Sequence, residues 1–434
     1  MNTKTFARRR RGVMQLMGDG CVAIIPSGPE LLRNGDVQYN FRPDSNFYYL
    51  SHFPEPDAVL VLIPGREQGE YVLFCREKDL DKEIWHGYRE GLEGAVEHYA
   101  ADDAYPIDDI DEILPGLLEN RIKIYYSMGH YPDFDSRLIQ WVNQVKTRAR
   151  SGVAAPTDFV DLGIILHELR LLKRAEELRI MRRAAKLTVA AHQRAMQLCR
   201  PGMKEYQLQA ELEYVMLQGG SRSPAYPSIV AGGSRALVLH YTENQATLEA
   251  GELLLIDAGA EVDCYAADIT RTFPVSGRFT AEQKAVYDIV LAAHQVAVEH
   301  TCPGKLWNDA HEAALQVLVT GMVDLGLLQG EVEGLIESGA YKRYFMHRTG
   351  HWLGMDVHDV GDYKVEGAWR PLEPGMISTV EPGLYIAPAA DIAERWHNIA
   401  IRIEDDVLVT RDGYEVLTQG LARTTADIEA FMAA

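Results

Sequence analysis

Up to about residue 150, short apolar runs alternate with amphipathic stretches. The runs "CVAIIPSG", "AVLVLIPG", "EYVLFC" and "RIKIYYSM" are rich in Val, Ile and Tyr and mostly end at Gly or Pro, as short strands do. Between and around them, "DDIDEILPGLLEN" and "DFDSRLIQWVNQV" carry helical spacing, so this half predicts an α/β domain with a mixed sheet. The segment "SGVAAPTD", residues 151–158, reads as a connector. Beyond it, Leu178, Met181, Ala185, Val189 and Met196 fall three, four or seven apart on one face of a long helix, which Pro201-Gly202 stops. Further helices are predicted at 204–218, 281–300 and 308–325, with strands between and after them. The second half therefore reads as α+β, helices beside an antiparallel sheet. The boundary falls near residue 172, giving domains 1–172 and 173–434.

Polar residues interrupt this pattern where a core should be continuous. The stretch "LLLIDAGAEVDCYAADITRTF", Leu253 to Phe273, reads as a buried hairpin that admits Asp257 and, eleven residues on, Asp268. A turn at Val262-Asp263 puts the two acids opposite one another on one face, with Cβ atoms ~5 Å apart. Buried like charges at that separation require a cation between them. Arg271 faces the other way along a regular strand, which leaves a metal ion as the stronger candidate. A solvated hairpin tip accounts for Glu261 and Asp263 but not for Asp257, which follows four apolar residues.

An echo of this unit lies further on. "GELLLIDAG" starts at Gly251 and "GMISTVEPG" at Gly375, an offset of 124 that sets Asp257 on Glu381 and Gly259 on Gly383. Each is followed by a second acid in a strand-like run, Asp268 in "ADITRTFPVSG" and Glu404 in "IRIEDDVLVTRDG", with twelve more residues between the acids in the second unit. A duplicated β-unit around one central site is the expected architecture.

Three of the 14 histidines, His347, His351 and His358, crowd into "MHRTGHWLGMDVHDVG". Imidazole is a common metal ligand and the usual acid or base at neutral pH. Position 348 is Arg, so the HExxH helix of zinc proteases is absent. Four acids and at least one histidine form an oxygen-rich, thiol-free set with more carboxylates than one ion needs. It suits two divalent ions of the Mn²⁺, Co²⁺, Fe²⁺ or Zn²⁺ type. Two such ions ~3.5–4 Å apart hold a bridging hydroxide and polarise a carbonyl, which is hydrolytic machinery.

Composition narrows the partners. A net charge of -20 over 434 residues and a pI near 5.1 argue against nucleic acid or an anionic membrane. Cys21, Cys75, Cys199, Cys264 and Cys302 are odd in number, scattered and never in CxxC spacing, so they read as reduced thiols, Cys264 serving packing. No signal peptide and no run of ~18 apolar residues is present, and a cytoplasmic location is expected. Gly232-Gly233 lacks both a G-x-G-x-x-G pattern and a P-loop lysine. His192, His294, His300 and His311 fall on predicted helices as core or surface residues.

The ordered series "IDAGAEVDCYAADITRTF", "GHWLGMDVHDVG", "TVEPGLY" and "IRIEDD", with "LHYTEN" at 239–244 upstream, resembles the pita-bread metallopeptidases and, within them, the bacterial aminopeptidase P (Xaa-Pro aminopeptidase) group. The likeness extends over essentially the whole chain, including "EIWHG" and "LRLLKRAEELRIMRRA". It implies an α/β N-terminal domain and a pita-bread catalytic domain, a duplicated β-unit in a curved antiparallel sheet with helices outside. It implies two divalent ions, usually Mn²⁺ with Co²⁺, Zn²⁺ or Fe²⁺ as alternatives, held by Asp257, Asp268, His351, Glu381 and Glu404, with Asp268 and Glu404 bridging. By the same resemblance Glu381 handles protons, His358 stabilises the oxyanion, His240 and His347 line a proline pocket, and Arg402 holds its electrostatics together. Tyr385, Arg370 and Trp85 match positions near substrate or subunit contacts, and His86 stands where an aromatic is expected. The implied reaction releases the N-terminal residue from peptides with proline second, through a hydroxide bridging the two metals. Prolidase, which cleaves only Xaa-Pro dipeptides with the same ligands, is the nearest alternative; a non-catalytic pita-bread binding module is a remote one, and methionine aminopeptidases usually lack the long N-terminal domain. The implied assembly is a homodimer or homotetramer, with Asp36 and Trp85 reaching a neighbour's site.

Overall fold

The computed structural model describes residues 1–434 and divides into two compact units, Met1–Glu168 and Leu169–Ala434. In the first, six strands form one mixed sheet in the order Asp103–Pro106, Tyr71–Cys75, Val59–Leu62, Cys21–Pro26, Lys123–Tyr125 and Asp158–Val160. The middle pairings are antiparallel and the outer ones parallel. Helices Ile110–Leu118 and Pro132–Lys146 supply Leu114, Leu138 and Trp141 to the core made by Val22, Val61 and Phe74. Helix Thr3–Met17 was not among the expected elements, because it carries four consecutive arginines. Two of them turn inward: Arg9 donates to the Tyr49 carbonyl at 2.9 Å and Arg10 to that of Leu50 at 2.8 Å, each over a tyrosine ring.

In the second unit helices Ala175–Leu198, Glu205–Gln218, Ala281–His300 and Trp307–Asp324 form close to where the apolar spacing placed them. Every strand pairing here is antiparallel. Two long hairpins dominate. The first pairs Leu253–Asp257 and Glu261–Val262 with Tyr265–Ala266 and Thr270–Pro274 in one unbroken register. The second pairs Ile377–Val380 and Gly383–Ile386 with Ile399–Arg402 and Asp405–Val409, also in one register. Each ladder is interrupted in the middle, and the acids stand at the interruptions.

The first hairpin corrects the expected pairing. Its turn lies at Asp263-Cys264, with φ of 48° and 62°, not at Val262-Asp263. Two-residue hairpin turns of this kind need positive φ at both central positions, which a β-branched Val resists and Asp tolerates. Asp257 therefore pairs with Thr270, and Asp268 lies diagonal to it on the same face rather than directly across. Cys264 accordingly sits in the turn instead of facing away along a strand. The echo between the units is also partial: continuing the second register sets Glu381 across from Glu404, the place Thr270 holds in the first.

Backbone groups freed at the interruptions find partners elsewhere, as buried amides must. In the first hairpin, the Ala258 carbonyl lies 3.1 Å from His192 Nε2, and Ala260 N–H donates to Thr188 Oγ1 at 2.9 Å, both from helix Ala175–Leu198. In the second, Pro382 has no N–H to satisfy. Glu404 N–H donates to the Thr270 carbonyl at 3.0 Å, and its own carbonyl accepts from Arg271 Nη1 at 2.6 Å. The second hairpin is thus laced to the first at the level of the acids.

Candidate metal centre

The side chains at the two interruptions converge. One ligand atom each from Asp268, His351 and Glu404 lies within 4.8 Å of the others. Glu381 joins them, its Oε1 3.7 Å from His351 Nε2, which is itself 3.5 Å from Asp268 Oδ2. Asp257 is tied in through Tyr226, whose hydroxyl donates to Asp257 Oδ1 at 2.6 Å and also meets Asp268 Oδ1. Arg402 Nη2 donates to Asp257 Oδ2 at 2.6 Å, and Thr270 Oγ1 donates to Glu404 Oε2 at 2.6 Å.

His351 comes from a different element. Segment 349–353 lies along strand Ile377–Val380, with Thr379 N–H donating to the His351 carbonyl and Leu353 N–H to that of Ile377. His351 Nδ1 is 3.0 Å from the Trp352 carbonyl, which fixes Nδ1 as the donor and turns Nε2 toward the acids. That tautomer is the one a metal ligand needs.

Four buried or half-buried acids share one guanidinium and one imidazole, and their protons reflect it. Burial pushes Glu404 well above the carboxylate range, with three acids nearby and Arg402 only partly offsetting them. Burial raises Glu381 to about 7 against the pull of His351 and Arg402. Asp257 is raised by burial although Arg402 opposes it. Asp268 is also buried, but bonds from His351 and Tyr226 hold it below its ordinary value. Burial would lower His351; its contacts with Asp268 and Glu381 outweigh that and raise it to about 9. So much negative charge with so few cations fits divalent metal, and no thiol stands among the donors.

The other residues named from the sequence lie around this cage. Arg402 also reaches Tyr385 Oη at 3.0 Å, and Tyr385 Oη is 2.9 Å from His347 Nε2. Burial lowers His347 to about 4. His358 packs edge-on against His351, ring centroids 4.4 Å apart, and is itself exposed. His240 is exposed and within electrostatic reach of both His347 and His358. Arg370 is buried, held by backbone bonds to Tyr363 and Trp307. Arg271 turns away from the cage to Asp405 at 2.7 Å. Asp36, Trp85 and His86 belong to the first unit and are exposed.

Sequence reasoning missed Tyr226, Thr270 and Asp406. Tyr226 sits in the loop "SPAYPS" with no pattern to mark it. Thr270 is one more β-branched strand residue until its hydroxyl is seen on Glu404. Asp406 is buried and accepts from Asp268 N–H at 3.2 Å; the doubled acid in "IEDD" was its only signal.

The chain as a whole is similar to known proteins. Residues 179–411 match the model of metallopeptidase family M24, and residues 6–125 that of the aminopeptidase P N-terminal domain. The chain is 42% identical to the Xaa-Pro aminopeptidase of Escherichia coli K12, over 100% of this chain and 98% of that one. It superposes on the Pseudomonas aeruginosa aminopeptidase PepP with a TM-score of 0.99 at 55% identity, covering 100% and 98% of the two chains. A zinc-substituted E. coli aminopeptidase P in complex with product aligns with a TM-score of 0.97 at 41% identity over the same shares.

Proposed function

The chain belongs to metallopeptidase family M24, and from this premise we infer that it is a metal-dependent Xaa-Pro aminopeptidase, a hydrolase releasing the N-terminal residue from peptides with proline second. The observation that carries this reading is the acid cage with its single imidazole, on a chain like the Xaa-Pro aminopeptidases from end to end. A related E. coli aminopeptidase P variant is known in complex with substrate.

We assign Asp257, Asp268, His351, Glu381 and Glu404 as the residues that would hold two divalent ions. Manganese suits a set with four carboxylates and one imidazole, cobalt, zinc and iron being the rivals. Bound there, such ions acidify water and polarise a carbonyl. The protein's own residues do the rest. Glu381, set among the ligands, would accept the proton of the attacking water and pass it to the leaving nitrogen. His358, exposed beside His351, donates an N–H to the oxyanion. His240 and His347 form the walls for the proline ring, with His347 set by Tyr385. Arg402 bonds Asp257, Thr270 and Tyr385 together, so one guanidinium aligns a ligand and the pocket wall.

We further propose a homodimer or homotetramer. Helix Leu80–His86 has no buried residue, and Leu80, Ile84, Trp85 and nearby Tyr88 are 77 to 97% exposed, an apolar surface of the kind that associates. Sedimentation of wild type and Trp85→Glu tests it; two identical monomers would refute it. No helix is long and apolar enough to cross a membrane, and we place the enzyme in the cytoplasm.

Comparing an Arg-Pro-Pro tripeptide with a Gly-Pro dipeptide tests the reaction. Efficient release of Arg from the tripeptide is expected. Activity confined to the dipeptide would make the enzyme a prolidase, and metal-repleted protein inert on both would leave a binding module.

A further inference from the structure

A second buried charge cluster lies under the loop that carries His351 and His358. The Asp359 carboxylate accepts from Lys173 Nζ at 2.9 Å and from Arg170 Nη2 at 2.6 Å, and all three side chains are at most 2% exposed. Arg170 also reaches Asp356 Oδ2 at 2.7 Å. The cations are themselves anchored: Lys173 N–H donates to the Gly375 carbonyl, beside the strand that leads to Glu381. The loop folds tightly over the cluster. Asp359 N–H donates to the Trp352 carbonyl, and Ala266 N–H to that of Gly354, which joins the loop to the first hairpin.

Two of the three glycines of "GHWLGMDVHDVG" are set by packing at this place. A Cβ at Gly354 would lie 2.0 Å from Asp359 Oδ2 and 2.9 Å from Lys173 Cε. Gly361, with φ of 135°, would bring a Cβ within 2.9 Å of Leu171. At Gly354 backbone is pressed directly onto the ion pair, which a side chain there would prevent, and at Gly361 it is pressed onto Leu171 beside it.

Neighbouring residues divide the work. Asp359 points into the cluster and His358, one peptide bond away, is exposed against His351. A buried ion pair is weak evidence for stability, since apolar residues of equal volume often serve as well. Its place beneath both loop histidines gives it another use. We propose that Arg170, Lys173 and Asp359 are positioning residues for the reaction: their ion pair locks loop 351–359 and so sets where the His358 imidazole stands. The proposal rests on the oxyanion role given to His358 above. A donor displaced by about 1 Å loses on the order of a hundredfold in rate.

Lys173→Met is the first test, because Arg170 still pairs with Asp359 and the cluster keeps one cation. In metal-free protein labelled with ¹⁵N-histidine, the His358 ring signals, identified with His358→Gln, should shift, while those of His98 and His130 stay. In metal-loaded enzyme kcat should fall about 10–100-fold with KM and metal content little changed, as for residues that orient a site from behind. Lys173→Met combined with His358→Ala should then be no slower than His358→Ala alone, because residues acting through one another are not additive. Unmoved His358 signals, or losses that multiply, overturn the proposal. His358→Ala as active as wild type overturns the role of His358 itself, and the positioning role with it.

Discussion

Two clusters of buried charge share the catalytic unit, and their balance differs. At Asp359 one buried carboxylate meets two buried cations, with Asp356 half-exposed at the edge. At the interrupted hairpins, Asp257, Asp268, Glu381 and Glu404 share Arg402 and His351. The first cluster is closed within the protein and holds a loop in place. In the second, burial shifts Glu381 and Glu404 toward their protonated forms. Carboxylates in excess of the cations that folding supplies, neutralised by protons until an ion replaces them, are what distinguish a place for an ion from a structural ion pair.

Substitutions can break this contrast from either side. The largest effect is expected in the cage: Glu404→Gln should lower kcat/KM at least ten-thousandfold, ~5 kcal/mol of barrier, in assays on a proline-second peptide. Retained activity would exclude Glu404 as a ligand. Next, a chelator should lower the melting temperature, and divalent metal at about a thousand times its Kd should return ~4 kcal/mol by mass action. Indifference of the melting curve to metal would remove the basis of the comparison. At the closed cluster, Asp359→Asn leaves two buried cations short of a partner and should destabilise both metal-free and loaded protein by ~3–4 kcal/mol in urea titrations.

Acidity gives the fourth test. Glu381 sits at about 7 in the folded, metal-free protein and near 4.5 unfolded, so the fold holds this proton more tightly. Its contribution is complete below about 4.5 and is lost as pH rises through 7, on the order of 3 kcal/mol, with Glu404 acting in the same direction. His192, His294, His311 and His347, held at about 4 by burial, titrate in the opposite sense. The test is therefore the difference in urea midpoint between metal-free wild type and Glu381→Gln, which should fall as pH rises from 5 to 8. A flat difference would mean the acids are already balanced. The smallest effect sharpens the contrast most. Because burial favours the neutral form of Glu404, Glu404→Gln should cost metal-free stability less than Asp359→Asn does, while abolishing the gain on adding metal.

Much of this was legible in the chain. Helices announce themselves through apolar spacing, and the acids through their intrusion into apolar runs, because both signals are local. The hairpin register was legible in principle: a turn needing positive φ twice suits Asp263-Cys264 and not Val262, but the constraint lies in backbone geometry that a pattern of apolar residues does not display. Tyr226, Thr270 and the Arg170–Lys173–Asp359 cluster were not legible. Their roles arise from contacts across 31 to 189 residues, and nothing in a lone Tyr, Thr or Asp marks it as facing a distant partner. Arg9 and Arg10 show the converse, a charged run that looks solvated and is buried.

Both hairpins keep one register on either side of their interruptions, yet one closes in two residues and the other through residues 387–398. The spacing of the acids across each ladder is therefore independent of what joins the arms. Within the far connection Ile392 and Trp396 pack into the core, so the exposed residues Ala387 and Pro388 are the natural graft point, where a peptide tag or a binding loop lengthens the chain away from the pairing that aligns Glu381 with Glu404. In this architecture the chemistry is written in the rungs, and the end of the ladder is left open for novelty.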